Sequence, residues 1–491
     1  MRLRAALCAL ALLLQLCAPA PAQRRASKRR LNVLFLIADD LRPELGAYGH
    51  AQIKTPNIDR LAARGTRFDR AYAQYPLCNP SRTSLLTGRY PTETGVMDNN
   101  KYFRAEHPDW ITLPQYFKNN GYSTLRTGKI FHGGIDDAVS WTEGGEPIDP
   151  AIVNRGTNAR PAQPAPRRDS DETEGDPPVQ AANEGERRRM ASDRIVVLEG
   201  DGETHGDYRT ATRAIDYLER YKEKGQPFFL AVGFVKPHSP PTAPRKFFDL
   251  YDPARVALPT DFAPRPAPPP GFPELSVPRR NADLFIGRDA TPEQAREMIR
   301  AYWASTSFMD VQVGRVLDAL ERLGLRDKTV VVFWGDHGYH LGEKGKWSKA
   351  YSLFEVGTRV PLIIAVPGGR AQATVRNVEL LDLYPTLAEL CGLPRPADIH
   401  GRSLAPLLKN PRAPRNEDAA YTVTLFQNKL GRAVRTARFR YAEWDEGRAG
   451  RMLFDETRDP HELKNLAEDP AYAKTVQELK RLLKQIPYAG R

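Results

Sequence analysis

The chain has 491 residues, 41% of them hydrophobic and 27% charged. That length suits one large domain with a smaller companion, and the composition excludes a disordered polypeptide. The formal net charge of +12 is spread along the chain with no nucleic-acid-binding motif beside it, so it permits a polyanionic substrate and gives no reason to expect nucleic acid.

In chain order, Arg2 and Arg4 open a basic start, Ala5 to Leu16 is apolar, and Ala20-Pro21-Ala22 offers a small-residue cleavage site before Gln23. This pattern predicts a signal peptide over residues 1–22 and a secreted or periplasmic protein. The apolar run is too short to span a bilayer comfortably, and bulky Leu16 before Cys17 argues against a lipoprotein. No later run is long and uncharged, so no stable membrane insertion is expected. Removing the signal takes two arginines and no acids, so +12 becomes +10. It also removes Cys8 and Cys17, leaving Cys78 and Cys391, too few and too distant for a disulfide scaffold.

Leu31 to Ala38 is a continuous apolar run of the kind that forms a buried parallel strand. Pro227 to Phe234, Thr329 to Trp334 and Val360 to Val366 read the same way, and Tyr122 to Arg126 is a further strand. Ala301 to Leu323 carries helical spacing, with Gly324 as a stop. Strands alternating with helices predict an α/β fold, a large mainly parallel sheet sandwiched by helices. Glu143 to Arg189, rich in Pro, Gly and charge, reads as a flexible surface insertion, and Pro264 to Pro273 as an extended connector. The texture changes near Asn410. Ala433 to Trp444 alternates as a strand, and Leu453 to Leu466 carries turn signals and a helix start. The expected division is a catalytic domain over 23–409 and a smaller C-terminal α+β subdomain over 410–491.

Three of the apolar strands end in polar clusters: Asp39-Asp40, Lys236-Pro237-His238 and Asp336-His337-Gly338. Ligands of open α/β sheets bind outside the carboxyl ends of the strands, so these clusters can converge. Adjacent carboxylates are costly to bury unless a cation neutralises them. Asp39, Asp40 and Asp336 offer oxygen, which suits a hard divalent ion such as Ca²⁺ or Mg²⁺ better than zinc. Lys129 and His132 share a glycine-bounded loop after the 122–126 strand. Cys78 precedes Pro80, whose fixed φ and missing N–H suit the first turn of a helix. Cys78 therefore stands at a helix N-terminus, where an anion is favoured, and Arg82 lies one turn on.

The segment Cys78-Asn79-Pro80-Ser81-Arg82, followed by Leu86-Thr87-Gly88-Arg89, resembles the sulfatase signature Cys-x-Pro-Ser-Arg with Leu-Thr-Gly-Arg after a short spacer. Thr55-Pro56-Asn57-Ile58-Asp59 with Leu61, and Gly335-Asp336-His337-Gly338 with Leu341-Gly342-Glu343, extend the resemblance over about residues 31–470. Within this alkaline-phosphatase-like superfamily the chain looks most like the iduronate-2-sulfatase branch, through Asp40-Leu41-Arg42-Pro43, Gly128-Lys129-Ile130-Phe131-His132, Lys236-Pro237-His238 and Arg435-Thr436 followed by Tyr441.

The resemblance implies that Cys78 is oxidised to formylglycine by a formylglycine-generating enzyme. The hydrated aldehyde has two hydroxyls, one to attack sulfur and one to expel sulfate afterwards; serine lacks the second. It implies one Ca²⁺ per subunit held by Asp39, Asp40, Asp336, His337 and the modified Cys78. It gives Lys129 and His132 the formylglycine hydrate, and Lys129, His238 and Lys349 the sulfate. His238 is the expected general acid, with Lys349 the alternative, and Arg82 supports Cys78. His337, unusual beside a hard ion, would otherwise bond to the other ligands. The expected substrate is a sulfated carbohydrate, such as a 2-O-sulfated uronic acid met in glycosaminoglycan degradation. Two other readings stand beside it, a phosphonate or phosphate ester hydrolase on the same fold and a non-catalytic glycan-binding protein.

Overall fold

The computed structural model describes residues 30–148, 193–415 and 418–487. The expected signal peptide and residues 149–189 of the expected insertion lie outside the described residues. The strands are, in order, β1 (Asn32–Ala38), β2 (Thr66–Tyr72), β3 (Ser123–Gly128), β4 (Val196–Leu198), β5 (Phe228–Phe234), β6 (Thr242–Pro244) and β7 (Thr329–Gly335). They continue with β8 (Arg359–Val360), β9 (Leu362–Ala365), β10 (Gln372–Glu379), β11 (Ala420–Phe426), β12 (Lys429–Arg435), β13 (Phe439–Trp444) and β14 (Arg451–Asp455).

The large sheet runs β10-β2-β9-β7-β1-β5-β3, with β8 also paired to β2. β7, β1, β5 and β3 are parallel neighbours, while β9 is antiparallel to both β7 and β2. The continuous apolar run of β1 follows from burial on both faces. Val33, Phe35 and Ile37 join one core with Leu85, Leu86, Phe117, Leu383 and Leu387. Leu34, Leu36 and Ala38 join the other, beneath the helices Gly206–Lys224 and Pro292–Arg322. Helices therefore cover both faces, as expected. The four strands β11 to β14 form an antiparallel sheet, and with the helix Ala473–Leu483 they make the C-terminal α+β layer. Tyr421, Val423, Val434 and Tyr441 of that layer share a core with Tyr75, Tyr90 and Leu381, so it is packed into the same compact unit as the large sheet.

Three local expectations are corrected. The long helix starts at Pro292, nine residues before the expected Ala301, with a capping box in which Thr291 and Gln294 satisfy each other's amides. Its first turn is polar and exposed, which hid it from apolar periodicity. The run at Val360 to Val366 splits into two short strands, β8 and β9, antiparallel to their neighbours. Ala433 to Trp444 is no single strand. Thr436 turns the chain between β12 and β13, its amide donating to the Phe439 carbonyl at 2.8 Å. Leu453 to Leu466 holds the end of β14 and irregular chain, and the helix follows later.

Candidate active site

Because β5, β1 and β7 are adjacent and parallel, their carboxyl ends open on one side. Ala38 is in register with Phe234 and with Gly335, so Asp39-Asp40, Lys236 to His238 and Asp336-His337 emerge together. Gly128 is level with Gly233, and the Lys129 amide donates to the Gly233 carbonyl at 3.0 Å. A Cβ at Gly233 would lie 2.0 Å from the Lys129 carbonyl oxygen, so only glycine lets Lys129 come this close.

Cys78 begins a wholly buried ten-residue helix, Cys78–Thr87. Its Sγ donates to Asp39 Oδ1 at 3.3 Å and lies 3.3 Å from His337 Nε2. Burial and then Asp39 push the thiol well above its usual range, so the unmodified side chain is a neutral thiol. Arg82, one turn on and fully enclosed, donates Nε to Asp336 Oδ2 at 2.9 Å and Nη1 to the carbonyls of Lys129 (2.5 Å) and Ile130 (3.2 Å). Its Nη2 is 3.5 Å from Asp39 Oδ1. Arg82 thus ties the Cys78 helix to the ends of β1, β3 and β7 at one point.

Asp39, Asp40, Cys78 and His337 each present a donor atom within 4.8 Å of one another. All four residues are buried. His337 Nδ1 donates to the Gly338 carbonyl at 3.0 Å, which leaves Nε2 unprotonated and turned toward Cys78. Burial lowers the His337 pKa and keeps the ring neutral, as a metal ligand needs. Asp40 Oδ1 is buried without a hydrogen-bond partner. An orphaned carboxylate oxygen at the centre of a buried donor cluster fits a divalent cation. Asp336, the fifth expected ligand, stands beside this set, 3.5 Å from His337 Nε2. Its Oδ1 accepts the amides of Asp40 and His337, and its Oδ2 accepts from Arg82.

Cations face the carboxylates. Lys129 Nζ is 2.6 Å from Asp39 Oδ2. Lys349 Nζ donates to Asp40 Oδ2 at 3.0 Å and lies 3.1 Å from His238 Nε2 and 3.4 Å from Asp283 Oδ2. Burial alone would raise the Asp39 pKa, but Lys129 and Arg82 hold it well below the usual carboxylate range. Burial raises Asp40 well above that range, Lys349 opposing and Asp39, Asp283 and Asp336 reinforcing. For Lys349 burial favours the neutral amine, and Asp283 and Asp40 more than reverse it, so it stays an ammonium. His238 Nδ1 sits 2.7 Å from the Ser239 carbonyl and donates to it, so Nε2 accepts from Lys349. The resting proton of this pair is therefore on Lys349. His132 is half-buried on the turn after Lys129, its carbonyl accepting from the Ile135 amide.

Cys78, Arg82, Lys129, His238, Lys349, Asp39, Asp40, Asp336 and His337 thus meet in a single cluster, with His132 three residues beyond Lys129. Two further neighbours escaped notice in the sequence. Ser81 Oγ donates to the Asp336 carbonyl at 2.5 Å. It stands inside the Cys-x-Pro-Ser-Arg segment, so the signal was present. Asp283 lies in an irregular stretch beyond the proline-rich connector, and no spacing pattern marks it.

A buried neutral thiol at a helix N-terminus, buried carboxylates and a facing ring of ammonium and imidazole groups fit a hydrolase of anionic esters. A profile of the sulfatase family matches residues 31–393, and one for the C-terminal region of N-sulphoglucosamine sulphohydrolase matches residues 342–488. Human iduronate 2-sulfatase is 36% identical over 417 residues, 76% of this chain and 71% of that protein. The solved structure of BT1596, a 2-O GAG sulfatase, aligns with a TM-score of 0.64 at 25% identity, over 93% of this chain and 91% of that one. The phosphonate monoester hydrolase of Agrobacterium radiobacter has the same fold, with a TM-score of 0.70 at 24% identity over 93% and 95% of the two chains. The chain belongs to the sulfatase family, and it is an enzyme that hydrolyses sulfate esters.

Proposed function

We propose that the enzyme removes sulfate from a sulfated glycan, a 2-O-sulfated uronic acid, using formylglycine made from Cys78 and one Ca²⁺. The observation that carries this reading is Cys78 at a buried helix N-terminus, 3.3 Å from both Asp39 and His337, with Lys349 and His238 poised opposite. Similarity to human iduronate 2-sulfatase and to a 2-O GAG sulfatase supports the choice of sugar.

Asp39, Asp40, Asp336, His337 and the converted Cys78 would hold the cation, which supplies positive charge beside the nucleophile and the sulfate oxygens. Formylglycine supplies geminal hydroxyls, one to attack sulfur and one to release sulfate. The residues of the chain do the rest. Lys129 and Lys349 bind the equatorial oxygens of the sulfate and spread its charge as the S–O bond to the sugar breaks. His238 Nε2 takes the proton of Lys349 Nζ and passes it to the leaving sugar oxygen, or Lys349 gives it directly. Lys129 and His132 would hold the formylglycine side chain, and His132, as a neutral imidazole, would accept the proton of its second hydroxyl. Arg82 fixes the helix N-terminus against Asp336. Export through a signal peptide over residues 1–22, and conversion by a formylglycine-generating enzyme, belong to this reading; among the described residues no helix is long and apolar enough to cross a membrane.

The test is a panel of defined sulfated sugars, including 2-sulfated uronic acids, with matched phosphate and phosphonate monoesters. Release of the anion is measured with Ca²⁺ present, with chelator, and with Zn²⁺ in its place. Sulfate release from the 2-sulfated uronic acid, lost on chelation and restored by Ca²⁺, is expected. Faster turnover of the phosphorus esters, or glycan retention without turnover by converted protein, would refute the reading.

A further inference from the structure

Lys349 lies on an irregular segment, Lys344 to Phe354, that runs into the short helix Glu355–Thr358. Two non-glycine residues of this segment have left-handed backbone, Lys344 (φ 52°) and Tyr351 (φ 65°). Such residues persist only where the surroundings over-determine them. Part of the support is local: His340 Nε2 and Ser352 Oγ are 2.7 Å apart, and the Ser352 amide donates to the Lys349 carbonyl at 3.2 Å.

The rest comes from the C-terminal layer. Arg440 on β13 is 1% exposed and faces Glu355, Glu456 and Glu462, with its Nε 3.3 Å from Glu456 and 3.2 Å from Glu462. Its Nη1 donates to the Leu353 carbonyl at 3.2 Å. Arg435, the residue singled out in the Arg435-Thr436 pair, puts its Nε 3.1 Å from Glu355 Oε2. Glu462 Oε2 accepts the Glu355 amide at 2.8 Å, and Tyr72 OH donates to Glu355 Oε1 at 2.9 Å. At the other end Lys344 Nζ donates to the His461 carbonyl at 3.2 Å and to Asp261 Oδ2 at 2.8 Å. The turn at His461-Glu462 and the strands β12 and β13 thus grip the Lys349 segment at both ends. None of Arg435, Arg440 and Glu462 is among the residues assigned above to nucleophile, cation or sulfate.

We propose that Arg440, with Arg435 and Glu462, is a positioning element that holds the 344–355 segment so that Lys349 Nζ sits between Asp40 and His238. A guanidinium is required at 440 because its planar fork serves the Leu353 carbonyl and the carboxylates at once, which a lysine ammonium cannot do. This inference rests on the reading that Lys349 acts on the sulfate ester.

The experiment is a double-mutant cycle of Arg440→Lys and Lys349→Ala in full-length converted enzyme with Ca²⁺. The substrate is the sulfated sugar that the panel turns over fastest, and released sulfate gives kcat and KM. Misplacing a reacting group by about 1 Å can cost about 100-fold, so Arg440→Lys is expected to lower kcat about tenfold with KM changed less than about twofold. In the Lys349→Ala background it should lower kcat less than about twofold, because the positioned group is already gone. A tenfold loss that persists in that background means general weakening of the fold and overturns the proposal, as does wild-type kcat for Arg440→Lys. Wild-type kcat for Lys349→Ala itself also overturns it, and locates the failure in the reading of Lys349. If Arg440→Lys does not fold, Glu462→Gln, which keeps an acceptor for the Glu355 amide, enters the same cycle with an expected loss of about threefold.

Discussion

Replacing Arg82 by methionine keeps the side chain's length and removes its charge. Asp336 is then left buried with Oδ1 on the amides of Asp40 and His337 and nothing on Oδ2, and the carbonyls of Lys129 and Ile130 lose their donor. Breaking a buried ion pair by removing one partner costs about 3–5 kcal/mol. Unfolding entropy near 2.1 cal/mol/K per residue over some 460 residues is about 1 kcal/mol/K, so Tm at pH 7 should fall by about 3–5 °C. Burial and Asp39 raise the Asp336 pKa, and the Arg82 guanidinium pulls it down. Without Arg82 it rises further, so the folded variant keeps a proton that the unfolded chain releases above its ordinary carboxylate pKa. The deficit is therefore largest at neutral pH and shrinks as pH falls toward about 4, where both states are protonated. Thermal melts followed by circular dichroism at pH 7 and pH 5 check both statements. A variant melting within about 1 °C of wild type at pH 7, or a gap that widens on acidification, would refute the account of Arg82.

Cys78→Ser should fold with an unchanged melting profile yet give no steady sulfate release, and active wild type should carry the aldehyde mass on its residue-78 peptide; wild-type turnover by the serine protein would contradict the proposed chemistry. Asp40→Asn should raise the Ca²⁺ concentration needed for half-maximal activity by at least about tenfold, since it removes a charged oxygen donor, and an unchanged requirement would remove Asp40 from the cation site. Unconverted protein prepared without residues 1–22, which hold Cys8 and Cys17, should show no thiol reactive toward a chromogenic disulfide until denatured, because Cys78 and Cys391 are both buried and burial pushes the Cys391 thiol up to about 12; fast labelling of native protein would show that the helix N-terminus is open.

The strands that carry the site were legible because their two-sided burial demands unbroken apolar runs, as in Val33 to Ala38 with no exposed side chain. Their polar ends were legible for the same reason, since charge directly after such a run has to be used. Cys78 could be placed at a helix N-terminus from Pro80 alone. Strand direction was not legible: β9 is as apolar as β7 but runs against it, and nothing in Leu362 to Ala365 encodes that. The turn at Thr436 lacks glycine, asparagine or proline, so alternation ran on through it. Asp283 and Arg440 come to the Lys349 segment from distant parts of the chain, Asp283 to Lys349 and Arg440 to Leu353 and Glu355, contacts that only tertiary structure brings about.

Cys78 is completely enclosed, on a helix whose ten residues are all buried. Its enclosure orders events in time. If Cys78 is converted to formylglycine as proposed, the converting enzyme has to meet it on an extended chain, before residues from β1, β3 and β7 close around it. The folded protein would then carry a permanent record of whether that meeting took place. A cell that makes the chain faster than it can process it would accumulate a stably folded, inert population that no later treatment of the native protein could rescue. Yield of soluble protein and yield of active protein become separate quantities, decided at different moments of synthesis.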